Sequence, residues 1–540
     1  MIKIQLNDMS YEQDIRELLM AFYPGETFEY DGAEKEEAGF GDGAKPAFAV
    51  EKKAAGENAS GAAVEIRAEG KKAAKEVTPK FAVEGIVSED RRSFSLRIIH
   101  YGSARFHCLR NLPAEIEEEM QHVEEPLTVE YEERFDTKNK IKRRLYALLL
   151  LQTGKTLPWG SLTGIRPAKI PLTKLGEGMK EEEIARYMKR TYYASDEKIA
   201  LSIDIAKRER QLLASIDPHK GYSLYAGIPF CPTTCLYCSF TSYPIDKWKG
   251  RTGLYLHALF RELDYVAQEK KGYPINTVYL GGGTPTSLSP EDLDLLLGKL
   301  KNTFDFSTVS EFTVEAGRPD SITREKLKVL KKYGVTRISI NPQTMKQETL
   351  DLIGRRHTVE DVKEKFAMAR EEGFDNINMD LIIGLPQEEL EDVRVTMEAV
   401  KALGPDSLTV HSLAIKRAAR LNTMREVYKD LKIVNTQEMI DLTASYARGM
   451  GMNPYYLYRQ KNMAGNFENV GYARPGKECI YNILIMEEQQ TIIGCGAGTT
   501  TKRVIPGENR IERVENVKNV EQYIERIDEM IERKRRLFAV

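Results

Sequence analysis

Cysteine is scarce in this chain, six in 540 residues, and tryptophan is scarcer still, at two. So few thiols exclude a disulfide framework as what stabilises a fold of this length. Long hydrophobic runs are also missing, so no membrane span is expected. From Met1 to Asp8 the chain alternates apolar and polar residues and lacks the apolar core of a secretory signal, so a cytoplasmic location is expected. An excess of one charge is absent as well. Lys and Arg number 79 against 81 Asp and Glu, and the resulting −2 gives no global attraction to nucleic acid or anionic lipid. What remains is the composition of a globular protein too long for one ordinary core, which predicts two domains or more.

Residues 31–80 are rich in Ala, Gly, Glu and Lys, with few large apolar groups to offset the entropy of ordering, and read as a flexible insertion. Strand-like runs at 2–6 and 93–99 and an amphipathic helix over 138–152 flank it, which predicts an N-terminal α+β domain over 1–152. Thr153-Gly154-Lys155-Thr156 lacks the earlier glycine that a phosphate-binding loop needs, because Leu149 stands there; a helix ending at Gly154 is the better reading. A charged helical connector covers 153–220.

From 221 to 415 strand and helix patterns alternate regularly. Strands are expected at 224–228, 277–280, 311–315, 337–341, 377–383 and 407–411, with helices at 253–269, 290–303, 324–333, 359–372 and 390–403. Six such units predict a parallel α/β sheet with right-handed crossovers, an incomplete (β/α)6 barrel whose chemistry sits at the C-terminal ends of its strands. Residues 416–540 form a C-terminal extension, expected to cover the substrate and to end in a helical tail over 512–536.

The first core strand runs into Cys231-Pro232-Thr233-Thr234-Cys235-Leu236-Tyr237-Cys238. Three thiolates spaced Cys-x3-Cys-x2-Cys on one loop can bind three corners of a [4Fe–4S] cube and leave the fourth iron open. A closed zinc site is the rival, and it needs a fourth ligand that the loop does not hold. Cys108, Cys479 and Cys495 stand singly and read as small buried hydrophobes.

With this loop and the motifs that follow it, the chain resembles the radical S-adenosylmethionine (SAM) superfamily. The resemblance implies that SAM completes the cluster and is cleaved there to a radical. It also implies SAM contacts from Gly282, Gly283 and Thr284 in Gly281-Gly282-Gly283-Thr284-Pro285-Thr286, from Glu315, Gln343, Arg356 and Asp380 in the later strand ends, and from Tyr237 against adenine. Tyr225 and His411 fall where related enzymes place groups near the sulfonium or the substrate. The glycine stretch 494–499 is expected to close over the site.

Thr163-Gly164-Ile165-Arg166-Pro167, Val314 to Asp320, Leu408 to Leu413 and, above all, Pro454 to Asn462 with Asn469-Val470-Gly471-Tyr472 narrow the match. They resemble the oxygen-independent coproporphyrinogen III oxidase group, most closely its HemZ-type branch. The implied reaction is oxidative decarboxylation of two propionates of coproporphyrinogen III to vinyl groups. It needs a low-potential electron donor and an electron acceptor of unknown identity. Tyr455, Tyr456 and Tyr458 are candidates to stack on the tetrapyrrole, and Lys416, Arg417, Arg459 and Lys461 to pair with its carboxylates. Phe240 replaces the fourth cysteine of the oxidase branch and Gly227 its histidine, departures that keep two other readings open: a HemW-type heme chaperone, and a methylase on the same scaffold.

Overall fold

The computed structural model describes residues 1–31, 80–88, 91–100, 112–129, 133–214, 216–217, 220–414, 416, 419–423, 428, 430–460, 467–505, 508 and 510–539. Most of the insertion expected over 31–80 lies outside them, as do Cys108, Arg417 and Lys461. Near the N-terminus, β1 (Ile2–Leu6), β2 (Phe28–Asp31), β3 (Phe81–Val87), β4 (Ser93–His100) and β5 (Leu127–Thr128) form a sheet in the order β2-β1-β3-β4-β5. Alternation along β1 buries Ile2, Ile4 and Leu6 against the helices Glu12–Phe22 and Arg134–Thr153. The second helix stops at Gly154, whose φ of +68° is left-handed, so the Gly-Lys-Thr run there is a helix end.

Three helices, Lys169–Gly176, Glu181–Tyr192 and Asp196–Leu213, form the connector. Six parallel strands follow, joined by helices: β6 (Tyr222–Ile228), then, after a short ribbon of β7 (Phe230–Cys231) and β8 (Tyr243–Pro244), β9 (Ile275–Gly282), β10 (Glu311–Gly317), β11 (Arg337–Ile340), β12 (Ile377–Ile383) and β13 (Ser407–Ser412). This is the partial (β/α)6 barrel expected. Val, Ile and Leu dominate the outward faces of these strands, which the surrounding helices cover, and inward positions carry polar groups such as Glu315, Ser339, Asn378 and Asp380.

The C-terminal extension enters the same sheet at both edges. β15 (Asn469–Ala473) adds antiparallel to β13, and β14 (Asn453–Tyr458) adds antiparallel to β15. β16 (Thr491–Cys495) pairs parallel with β6, and the hairpin of β17 (Thr500–Ile505) and β18 (Arg510–Glu515) continues from it, giving eleven strands. The expected helical tail is therefore corrected at its start: 512–515 is strand, and helix begins at Val520. The tail docks on its own barrel through Val520, Tyr523, Ile527 and Met530.

Candidate active site

The C-terminal ends of the core strands surround a cavity of about 360 Å³. The loop after β6 brings Cys231, Cys235 and Cys238 into its lining, and β9 braces that loop. Gly283 N donates to Ile228 O at 2.8 Å and Thr284 N to Phe230 O at 2.7 Å. A Cβ on Gly283 would lie 2.5 Å from Phe230 O and 3.0 Å from Cys231 Sγ, so only glycine lets the strands approach this closely. On the other side, Leu236 N donates to Ile353 O at 2.9 Å.

Burial pushes the Cys231 thiol up to about 11 and raises Cys238 too. Thiolates here therefore need compensating positive charge, which cluster irons supply. The protein adds cations of its own, and one of them reaches a cysteine directly. Arg318, only 3% exposed, is held by Asp320 at 2.9 and 2.6 Å and lies with Nη1 3.7 Å from Cys235 Sγ. The sequence alone assigns Arg318 no role; its place three residues after Glu315, just past the end of β10, is the available signal.

Across the cavity, Tyr279 donates to Glu315 at 2.6 Å. Burial, with the charge of Asp380 adding to it, raises the Glu315 carboxyl to about 7. Burial acts on Asp380 in the same sense, but His411, Asn378 and Thr409 outweigh it and hold that carboxyl below its usual value. His411 Nε2 stands 3.9 Å from Asp380 Oδ2, and its Nδ1 is 3.3 Å from the Tyr458 hydroxyl. Gln343, at a φ of +69°, keeps its amide oxygen buried without a hydrogen-bond partner among the described residues, and Ser339 Oγ and Asn469 Nδ2, in the same lining, likewise have none among them. Leaving such atoms unpaired costs about 1–3 kcal/mol each, a cost that a polar ligand relieves. These donors and acceptors, with three thiols on one side, fit a cluster and SAM.

Tyr237, Gly282, Gly283, Thr284, Glu315, Gln343, Asp380 and His411 thus line one cavity with the cysteines. Two predicted residues do not. Arg356 is exposed outside the cavity, and its neighbour Arg355 is the buried one that lines it, donating to Asn341 O at 2.6 Å. Gly354, at φ +76°, turns the chain there, so no helix period indicated which arginine faces inward. Tyr225 stands behind the wall, stacked at 5.9 Å on Tyr279 and 6.0 Å on Tyr481. Of the expected tetrapyrrole contacts, Tyr456, Tyr458 and Lys416 line the cavity. Tyr455 is buried in an aromatic core, and Arg459 turns toward the connector, donating to Leu162 O. The 494–499 stretch packs behind β6, with Gly496 N on Glu262 at 2.8 Å, and is no lid. Cys479 and Cys495 are buried and free, as their isolation predicted.

The sequence model of the Radical SAM superfamily matches residues 225–400. The oxygen-independent coproporphyrinogen-III oxidase-like protein HemZ of Bacillus subtilis (strain 168) is 45% identical over 403 residues, covering 74% of this chain and 80% of that protein. The heme chaperone HemW of the same organism is 34% identical over 307 residues, 54% of this chain and 76% of its own length. Among solved structures, the coproporphyrinogen III oxidase HemN from Escherichia coli, a radical SAM enzyme, is 25% identical, with a TM-score of 0.48 over 59% of this chain and 72% of that one. A [4Fe–4S] cluster and SAM are the cofactors of this superfamily. The chain belongs to the radical SAM superfamily and, within it, to the HemZ family of proteins like the oxygen-independent coproporphyrinogen III oxidases.

Proposed function

We propose that the protein oxidatively decarboxylates the propionate side chains of coproporphyrinogen III to vinyl groups, giving protoporphyrinogen IX. The observation that carries this reading is the wall opposite the cysteines. Tyr456 and Tyr458 present stacked rings, 6.3 Å apart and 8° from parallel, in the same cavity as Lys416. Aromatic rings and a cation in one cavity suit a tetrapyrrole with carboxylates at its rim.

The bound cluster and SAM supply a radical able to remove a hydrogen atom from the propionate β-carbon; CO2 and one electron then leave for each vinyl formed, the electron going to an external acceptor. The remaining work falls to the chain. Cys231, Cys235 and Cys238 hold the cluster, and Gln343, Glu315, Arg355 and the 282–284 backbone receive SAM. His411, between Asp380 and Tyr458, holds or passes a proton at the substrate side. Tyr225 acts by backing Tyr279, which orients Glu315. As a soluble catalyst it would meet its donor and acceptor in the cytoplasm.

One observation favours a second reading, a HemW-like heme-delivery role. Phe240 stands where the oxidase branch has a cysteine; it is 70% exposed at the cavity rim under Lys416 and could stack on heme without turnover. Anaerobic incubation of cluster-reconstituted protein, reduced with dithionite and then freed of excess reductant, with SAM, coproporphyrinogen III and an added one-electron acceptor dye decides between them. Vinyl products with stoichiometric CO2 are expected, whereas SAM cleavage with the propionates intact would eliminate the oxidase.

A further inference from the structure

The loop that carries the cysteines has a second face. Pro232, Thr233 and Thr234, between the first two cysteines, form the floor of a shallow depression on the outer surface. Arg355 lines both this depression and the cavity, so the wall between them is one loop thick. Around the rim stand Lys247, Arg356 and Arg420, all exposed and none in an ion pair among the described residues. Of the two acids at the rim, Asp246 pairs with Lys249 at 2.7 Å, while Asp351 accepts from the neutral amide of Gln347 at 3.0 Å and keeps its charge, so three cations face one uncompensated carboxylate. The whole chain is slightly acidic, so this surplus of positive charge is local.

The floor also connects to a cluster ligand. Arg318 Nη1 donates to Thr233 O at 3.1 Å and to Thr233 Oγ1 at 2.8 Å, and the same nitrogen lies 3.7 Å from Cys235 Sγ. A charge arriving at Thr233 is therefore one hydrogen-bonded side chain away from the cluster. On the function proposed above, SAM and substrate occupy the inner cavity, which leaves the outer face of the loop for delivery.

We propose that this basic depression docks a small acidic redox protein whose one-electron, low-potential centre reduces the cluster through the 232–234 loop. The inference rests on the cluster assignment made above. In the step, one electron leaves the donor, which is oxidised by one equivalent, and the cluster passes from its 2+ to its 1+ state; no covalent bond forms or breaks. Charge complementarity of this kind steers encounter and sets the on-rate, and it is weakened by salt.

Reduced flavodoxin, an acidic flavoprotein, is the probe. Formation of 5′-deoxyadenosine is followed anaerobically with flavodoxin or with dithionite as reductant, in the wild type and in the double variant Lys247→Glu/Arg420→Glu. The variant is expected to keep its iron content and its dithionite-driven rate. Its apparent KM for flavodoxin should rise about tenfold, and wild-type turnover with flavodoxin should fall as salt is raised. Equal KM values for wild type and variant, or an equal loss with both reductants, would overturn the docking assignment. A wild type that cleaves no SAM even with dithionite would instead remove the cluster reading beneath it.

Discussion

At the scale of single residues, the site depends on backbone approach as much as on side-chain chemistry. Gly283 has a Cβ position already occupied by Phe230 O and Cys231 Sγ. Gly283→Ala is therefore expected to push the cysteine loop off β9 and lower iron and sulfide uptake severalfold while the fold persists; far-UV dichroism with iron analysis checks this, and full iron content would contradict it. Local spacing made this part legible, because Cys-x3-Cys-x2-Cys and a glycine run after a strand are contiguous patterns. Arg355 was not legible. It and Arg356 are adjacent in an irregular turn, and only the packed structure shows which one is buried.

At the scale of elements, the C-terminal tail is pinned to the barrel by one buried carboxylate. Glu262, on the helix Thr252–Glu269, accepts from Lys534 at 2.5 Å, Tyr523 at 2.5 Å, Asn516 at 2.7 Å and Gly496 N at 2.8 Å. The same region reaches the active site, since Tyr255 accepts from Ala497 N and donates to Gly227 O, just before the cysteine loop. Removing one partner of a buried pair leaves a charge without compensation and costs about 3–5 kcal/mol. Lys534→Met is thus expected to lower the denaturation midpoint strongly, and Glu262→Gln/Lys534→Met to recover part of the loss. Equal losses in a urea titration would argue against a desolvated ion pair. Periodicity foretold the core strands and helices closely, with Ile377–Ile383 and Leu390–Leu403 matching end to end, since burial on two sides enforces it. It missed β16, whose partner β6 lies some 270 residues away in sequence, and the β17–β18 hairpin that continues from β16.

For the whole molecule, tertiary contact creates a carboxylate pair that neither segment reveals. Glu209, on the connector helix Asp196–Leu213, and Glu487, ending the helix Ile480–Glu487, are fully buried, and no oxygen of either has a hydrogen-bond partner among the described residues. Burial raises Glu487 to about 7, against the pull of Arg166 and Lys169, and raises Glu209 well above its usual value, with Glu487 adding to it. A carboxyl raised in the folded state keeps a proton that the unfolded chain has lost. Its contribution is complete below the ordinary value of 4.5, and stability falls as pH rises from there to about 7. Glu487→Gln is therefore expected to raise Tm at pH 8 and to leave it nearly unchanged at pH 4.5, as read by scanning calorimetry. An equal shift at both pH values would sink this account.

The order of strands and helices in the core, the ligand loop and the glycine run follow from the sequence alone, because each is set by neighbours within one turn or one strand. Tertiary structure decided which arginine enters the cavity, that the C-terminal segment completes the sheet at both edges, and where the two buried glutamates meet. Those outcomes depend on which distant surfaces exclude water from one another, and no local pattern encodes that.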